Sequence, residues 1–162
     1  MTLGEDRPRL MHTAAVIGLL ALLAACTGKE TPMDDGTLRT FATRYTAAWC
    51  SRQAASVAAL YAQSGSLTIN DGTPSTGREA ITAAAQGFMT TFPDLVVRMD
   101  GAGVEDGRIV YRWTATGTNT GPGGNGRSVR FSGYEEWTFG ADGRIAESRG
   151  HFDEAGYQRQ LR

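Results

Sequence analysis

The apolar pattern of the chain changes its period once, at Phe92-Pro93, and this change limits the possible folds more than any other feature. Before it, apolar residues recur every three or four positions, which is typical of amphipathic helices. Pro93 cannot continue a helix, because it lacks a backbone N–H and its ring disfavours helical geometry in the residue before it. After it, apolar and polar residues alternate with period two, which is typical of strands.

Helices followed by a meander of strands predict an α+β fold, with about three N-terminal helices packed on one face of a curved antiparallel sheet. Helices are predicted from about Asp34 to Trp49, from Gln53 to Tyr61 and from Thr76 to Thr91. Strands are predicted over Ser66–Asn70, Leu95–Met99, Arg108–Thr118, Arg127–Phe139 and Arg144–Asp153. Such a sheet forms a cone or half-barrel, and the mouth of the cone is a natural ligand site.

The first 36 residues are predicted to lie outside this fold. Arg7 and Arg9 precede an apolar run, Ala14 to Ala25, that is shorter than the roughly 20 residues of a membrane span. The run ends in Leu23-Ala24-Ala25-Cys26, which resembles the bacterial lipoprotein lipobox. The resemblance implies a signal peptide over residues 1–25, lipid on Cys26, a linker over 26–36 and a domain over 37–162. An ordinary secretory signal is the alternative.

The composition of the chain limits the kinds of partner that it is expected to bind. The formal net charge is -1 and no run of one sign occurs, so the chain has no electrostatic footprint for nucleic acid. The domain keeps one histidine, His151, and one cysteine, Cys50, which argues against a zinc site. The expected partners are a small-molecule ligand and, through lipid only, a membrane.

His151 and Asp153 are two residues apart at the end of the last predicted strand, which would place both side chains on the same face. If that face is inward, a carboxylate and an imidazole share a partly dry cavity where their pKa values can shift towards neutrality. If it is outward, they form a solvated charge pair. The sequence leaves both readings open.

Four short motifs occur in the order typical of the SnoaL-like polyketide cyclases, within the wider nuclear transport factor 2 family. They are Phe92-Pro93-Asp94-Leu95, Gly117-Thr118-Asn119-Thr120-Gly121, Asp142-Gly143-Arg144-Ile145, and Phe152-Asp153 followed by Gln160-Leu161. The resemblance spans Leu38 to Leu161. It implies a cone-shaped fold and, in an active member, ring closure without a cofactor, with the aspartate at the position of Asp153 as general acid/base.

One motif departs from the family pattern. The family often has histidine where this chain has Asn119. Asparagine can hydrogen-bond a carbonyl or enolate oxygen but cannot carry a proton at neutral pH. His151 is a candidate to replace that function from the neighbouring strand. The expected catalytic set is therefore Asp153, His151 and Asn119.

The expected ligand-binding residues are aromatic: Trp113, Tyr111, Tyr134 and Trp49. Tyr111 and Trp113 alternate onto one face of their strand, with Arg112 and Thr114 on the other, which is expected to face solvent. The strand after it is ambiguous, because Glu135 shares a face with Phe131 and Trp137 while Glu136 shares the other with Tyr134. The same rings could also fill the cone as core.

These features favour a domain in the cell envelope, outside the cytoplasm and anchored through Cys26, that binds a small apolar or carbonyl-containing molecule in the cone. An acid/base enzyme that uses Asp153 without a cofactor or metal is the alternative. The family's cone also serves as a dimerisation platform, so a non-catalytic homodimer is a third reading.

Overall fold

The computed structural model describes residues 33–162. The predicted signal peptide, the lipidation site at Cys26 and most of the predicted linker lie outside the described residues. The first helix begins at Asp35, inside the segment assigned to the linker, because Asp34 serves as its N-cap. The Asp34 carboxylate accepts hydrogen bonds from the Thr37 backbone N–H and hydroxyl, which satisfies one of the free N–H groups of the first turn.

The predicted helices and strands follow one another in the predicted order, and the structure adds a two-residue strand before the third of these helices and a short helix at the end. The elements are α1 (Asp35–Cys50), α2 (Ala54–Ala58), β1 (Tyr61–Ile69), β2 (Ser75–Thr76), α3 (Arg78–Thr91), β3 (Val96–Glu105), β4 (Arg108–Thr118), β5 (Ser128–Phe139), β6 (Ile145–Phe152) and α4 (Glu154–Gln160). No helix in this described part is long and apolar enough to cross a membrane.

The six strands form one open sheet in the order β2-β1-β6-β5-β4-β3. The α+β architecture is as predicted, but the sheet is mixed rather than antiparallel, because β1 pairs parallel with β6. This pairing brings together two segments from opposite ends of the domain, and no local sequence pattern predicts it. The other pairings are antiparallel.

The hairpin turns follow from their residues. Between β3 and β4, Asp106 and Gly107 both adopt positive φ, at 49° and 77°, as a two-residue hairpin turn of the primed type requires. The strand bounds differ more. Strand β3 continues to Glu105, well past the predicted end at Met99, and its register shifts between Met99 and Gly101.

Two further predicted elements are corrected. The second helix ends at Ala58 rather than Tyr61, because Tyr61 already belongs to β1. The Tyr61 carbonyl accepts hydrogen bonds from the Arg78 guanidinium at the start of α3. Strand β6 ends at Phe152, so Asp153 does not lie on a strand.

The core lies between α1, α3 and the inner face of the sheet. Its largest fully buried side chains include Tyr45 of α1, Tyr61 of β1 and Tyr111 of β4. The Tyr45 ring packs edge-on against Tyr111 and Trp137, and the rings of Tyr111 and Trp137 stack at 4.8 Å. Helix α1 is thus held against the middle of the sheet by aromatic contacts, and the space beyond them is left partly open.

Candidate functional site

That space is a cavity of about 60 Å³ between the helices and the inner face of the sheet. A water molecule takes up about 30 Å³ in the liquid, so this volume corresponds to about two waters. Its wall is almost entirely apolar and draws on α1, α3, five strands and the turn before β3. The lining residues are Trp49, Leu67, Ile69, Phe88, Leu95, Val97, Tyr111, Trp113, Ala115, Phe131, Glu135, Gly150 and Phe152.

Strand parity decides which side chains reach this cavity. On β4 the inward residues are Tyr111, Trp113 and Ala115, and β5 pairs with β4 so that Tyr111 lies opposite Glu135. Glu135 therefore points inward, and only 6 % of its surface is exposed. Glu136 faces outward.

Glu135 is held by three donors, all of them on one carboxylate oxygen. Oε2 accepts hydrogen bonds from the Tyr45 hydroxyl at 2.9 Å, the Trp137 indole N–H at 3.0 Å and the Ser148 hydroxyl at 2.6 Å. Within residues 33–162, Oε1 has no hydrogen-bond partner, and the side chain forms part of the cavity wall. Oε1 is thus the carboxylate oxygen left free for a molecule in the cavity.

A short hydrogen-bond chain supports this arrangement. Tyr45 has a single hydroxyl proton, which it donates to Glu135, so the Tyr61 hydroxyl is the donor in its 2.9 Å contact with Tyr45. Both tyrosines are fully buried, and burial raises the pKa of each well above 10.0. They remain neutral donors throughout the physiological range and fix the position of Oε2.

Burial also raises the pKa of Glu135 above the ordinary value of 4.5. The hydrogen bonds from Ser148, Trp137 and Tyr45 act in the opposite direction, because they favour the charged carboxylate. Desolvation is the larger effect. The cavity therefore contains a carboxyl group whose proton is held more tightly than in water.

Three of the four predicted aromatic residues line the cavity: Trp49, Tyr111 and Trp113. The Trp113 ring lies over Gly133 of β5, where a Cβ would come within 2.7 Å of its Cζ2 atom. The Trp113 Nε1 atom is buried and has no hydrogen-bond partner within residues 33–162. Tyr134, the fourth, is on the outer face, where its ring stacks on His151 at 4.8 Å.

The structure does not bring the predicted catalytic set together. The His151 side chain is 39 % exposed on the outer face, with Nε2 3.9 Å from Glu136 Oε2. Asp153 is exposed beyond the strand, where it caps α4 by accepting the Gly156 backbone N–H at 2.9 Å. The shared strand face predicted from their spacing is absent, because β6 ends between them.

Asn119 also lies away from the cavity wall. It begins the loop between β4 and β5, where its backbone N–H donates to Arg127 and its carbonyl accepts from Gly126. Its side chain contacts Asn125 in the same loop, at 3.4 Å. These contacts give Asn119 a role in shaping the loop.

Thr114 is a further correction. It was expected to face solvent, and it does lie on the outer face, but it is buried there. Its hydroxyl donates to Asp100 at 2.6 Å and contacts the Ser132 hydroxyl at 2.8 Å. In the described residues no group of three or more His, Cys, Asp or Glu side chains is placed to hold a metal ion.

Glu135 is the candidate site residue whose orientation the sequence interpretation left undecided. The signal was present: the inward positions of β5 also include Val129 and Phe139, whereas the outward positions include Arg130, Ser132 and Thr138. Counting the whole strand, the apolar parity is that of Glu135. A single acidic residue among apolar neighbours was enough to obscure it.

Comparison with known proteins agrees with this geometry. The family model described as SnoaL-like polyketide cyclase matches residues 39–161. No curated protein sequence matches the chain significantly.

Solved structures share the fold at low identity. A protein assigned to the SnoaL-like polyketide cyclases from Jannaschia sp. CCS1 has a TM-score of 0.63 at 20 % identity, over 81 % of this chain and 94 % of its own. A nuclear transport factor 2-like protein of unknown function from Burkholderia pseudomallei K96243 has 0.64 at 23 %, over 76 % and 95 %. A hypothetical protein with a ketosteroid isomerase-like fold from Catenulispora acidiphila, in complex with trimethylamine, has 0.66 at 16 %, over 75 % and 91 %.

Proposed function

The chain belongs to the SnoaL-like polyketide cyclase family, and on this premise we propose that its domain binds a small, largely apolar organic molecule in the cavity. Glu135 is the polar group that orients this molecule. One observation carries the proposal: a buried carboxyl group, with one oxygen free, faces an otherwise apolar and aromatic wall. Ligand sites commonly combine an apolar surface with a few well-placed polar groups.

The size of the cavity sets the size of the ligand. A volume of about 60 Å³ is far below the roughly 300–1,000 Å³ of drug-sized sites. It accommodates a molecule of only a few non-hydrogen atoms unless the wall opens. The trimethylamine bound by the Catenulispora acidiphila protein is a molecule of this scale. A multi-ring polyketide would need a considerable widening of the cone.

The proposed location is the cell envelope, outside the cytoplasm, with the domain tethered by lipid on Cys26. The support is the apolar run followed by Leu23-Ala24-Ala25-Cys26. Metabolic labelling with an alkyne fatty acid should mark the wild-type protein and not Cys26→Ala. Equal labelling of both proteins would contradict the anchor and leave the cavity proposal unaffected.

Binding can be tested with the intrinsic fluorescence and the thermal stability of the protein, because Trp49 and Trp113 both line the cavity. A panel of organic compounds with up to about ten non-hydrogen atoms should include members that change the fluorescence and raise the melting temperature. A ligand at 100 times its Kd adds about 2.7 kcal/mol to the free energy of unfolding. A panel with no active member would refute the proposal.

A second candidate function, acid/base catalysis, is favoured by the raised pKa of Glu135. The role that the sequence suggested for Asp153 would then fall to Glu135, which lines the cavity. The test is exchange of the α-protons of butanone for deuterium, followed by NMR. General-base catalysis contributes about 10²–10⁴-fold, so Glu135→Gln should lose an effect of that size. Exchange no faster than in buffer would exclude it.

A further inference from the structure

The structure assigns the free oxygen of Glu135 and the surrounding aromatic rings to a binding site for a small methylated ammonium cation. This inference rests on the proposed function and specifies the chemical class of the ligand. It is carried by three observations: a buried carboxyl group without a cationic partner in the described residues, an aromatic wall, and a single free acceptor in a small cavity.

The first observation concerns charge. Each ion pair within the described residues joins a basic side chain to a carboxylate other than Glu135. A buried carboxylate without a positive partner is unfavourable, and three hydrogen bonds offset this desolvation only in part. The free oxygen faces the cavity, so the position for the missing positive charge is inside it. A cationic ligand would complete the pair.

The second observation concerns the wall. Six aromatic rings from α1, α3, β4, β5 and β6 line the cavity: Trp49, Phe88, Tyr111, Trp113, Phe131 and Phe152. The faces of aromatic rings attract cations, most strongly where water is excluded. They also make favourable contacts with methyl groups. The wall therefore suits a cation whose charge is covered by methyl groups.

The third observation concerns the number of acceptors and the available volume. Glu135 Oε1 is the free acceptor in the cavity wall, and an ammonium group with three N–H donors would leave two of them unpaired, which is unfavourable. A trimethylammonium ion has one N–H, and a tetramethylammonium ion has none. Both have only four or five non-hydrogen atoms, in keeping with a cavity of about 60 Å³. Trimethylammonium and tetramethylammonium should therefore bind better than methylammonium, which has three N–H donors.

Glu135 is the carboxyl group in the cavity wall, and its ionisation is expected to control the affinity for a cation. The titratable groups around it are Tyr45 on α1, Tyr61 on β1 and Tyr111 on β4, and burial raises the pKa of all three. Cys50 and Asp100 lie farther away and act on Tyr111. A cation favours ionised Glu135, so its affinity should rise with pH, and binding at low pH should release a proton.

The experiment is isothermal titration calorimetry of the full protein with tetramethylammonium chloride at pH 5 and pH 8. The neutral control is tert-butanol, which has the same number of non-hydrogen atoms, and sodium chloride controls for ionic strength. The variants are Glu135→Gln and Glu136→Gln, which remove the same charge from opposite faces of β5. Titration in buffers of different ionisation enthalpy measures proton release on the wild-type protein alone.

The expected results are a tetramethylammonium affinity at least about ten-fold above that of tert-butanol at pH 8, a loss of about ten-fold or more in Glu135→Gln, and no change in Glu136→Gln; a factor of ten corresponds to about 1.4 kcal/mol. If tert-butanol binds equally well, or the cation binds without pH dependence or proton release, the inference fails and the proposed function stands. If neither probe nor the wider panel binds, both fail. Should Glu135→Gln not fold, the wild-type pH dependence decides.

Discussion

Glu135 and Glu136 are neighbours on β5, yet the sheet gives them opposite chemistry. Glu135 is buried on the inner face, holds three uncharged donors on one oxygen and has no cationic partner in the described residues. Glu136 is on the outer face, pairs with the Arg108 guanidinium at 2.7 Å and lies 3.9 Å from His151. Because successive side chains of a strand point to opposite faces, two adjacent glutamates become a candidate binding group and an ordinary surface ion pair.

The comparison extends to the aromatic residues. Tyr111, opposite Glu135, is fully buried among Tyr45 and Trp137, whereas Tyr134 lies outside between His151 and Arg112. Of the residues that the sequence suggested for catalysis, His151 lies on this outer face. Asp153 follows β6 as the N-cap of α4, and Asn119 lies in the loop between β4 and β5. Composition alone does not separate the two faces, because each carries a tyrosine, a glutamate and a hydrogen-bonding partner. The contrast teaches that burial, rather than residue type, selects the site.

The largest expected effect tests the two tyrosines. Tyr111→Ala removes a buried ring and should lower the free energy of unfolding by about 3–5 kcal/mol. Tyr134→Ala removes one ring of a partly exposed stacked pair and should lower the free energy of unfolding by about 1 kcal/mol or less. Urea denaturation of both variants measures the difference. Equal costs would contradict the assignment of inner and outer faces.

The next effect tests the pH dependence of the buried carboxyl group. Because the pKa of Glu135 is raised in the folded protein, its stabilising contribution is complete below the ordinary value of 4.5 and is lost as the pH rises through the folded pKa. The stability of the wild-type protein relative to Glu135→Gln should therefore fall from pH 4 upward.

Denaturation of both proteins at a series of pH values gives this difference. Glu136→Gln is the control for the loss of one charge. A wild-type advantage that grows with pH would show that Glu135 is stabilised in its charged form, contrary to the desolvation argument.

A smaller effect is expected at Asp153, whose side chain caps α4. Asp153→Ala should cost about 0.5–2 kcal/mol, whereas Asp153→Asn keeps a capping oxygen and should cost less. Neither should change binding in the cavity, because Asp153 does not line it. Melting temperatures and probe affinities check both statements, and a large loss of affinity in Asp153→Asn would return Asp153 to the candidate site.

The smallest effect is expected at His151. Its partly exposed ring stacks on Tyr134 and lies at the margin of an ion-pair distance from Glu136. His151→Ala should change the free energy of unfolding by about 1 kcal/mol or less, and probe affinity should stay the same. Calorimetric titration of this variant against the wild-type protein provides the check. A ten-fold loss of affinity would link the outer face to the cavity.

Much of the fold could be predicted because its signals are local. The period of Leu38, Phe41 and Tyr45 predicts α1, and Asp106-Gly107 predicts a hairpin turn, and the structure has both. The alternation on β4 also predicts that Tyr111 and Trp113 share the inner face. Each of these signals depends on residues within one element.

The parallel strand pairing and the end of the last strand were not predicted from such local patterns. The pairing of β1 with β6 depends on residues far apart in the sequence, and nothing in either strand specifies a parallel partner. The end of β6 at Phe152 had a local signal that the interpretation missed: Asp153, followed by Gly156 three residues later, forms a helix cap. Treating Asp153 as a strand residue extended the period-two pattern one step too far and created the apparent pair with His151.

The parallel pairing also determines when the cavity can form during folding. Leu67 and Ile69 of β1 and Gly150 and Phe152 of β6 contribute to its wall, and the Phe152 N–H donates to Asn70 Oδ1, 82 residues earlier. Closing such a loop costs about 2 kcal/mol more than closing a ten-residue hairpin. We therefore expect the β3–β6 hairpins to form first and β1 to dock late. A chain arrested before that step has no binding site, so a ligand should slow unfolding without accelerating folding.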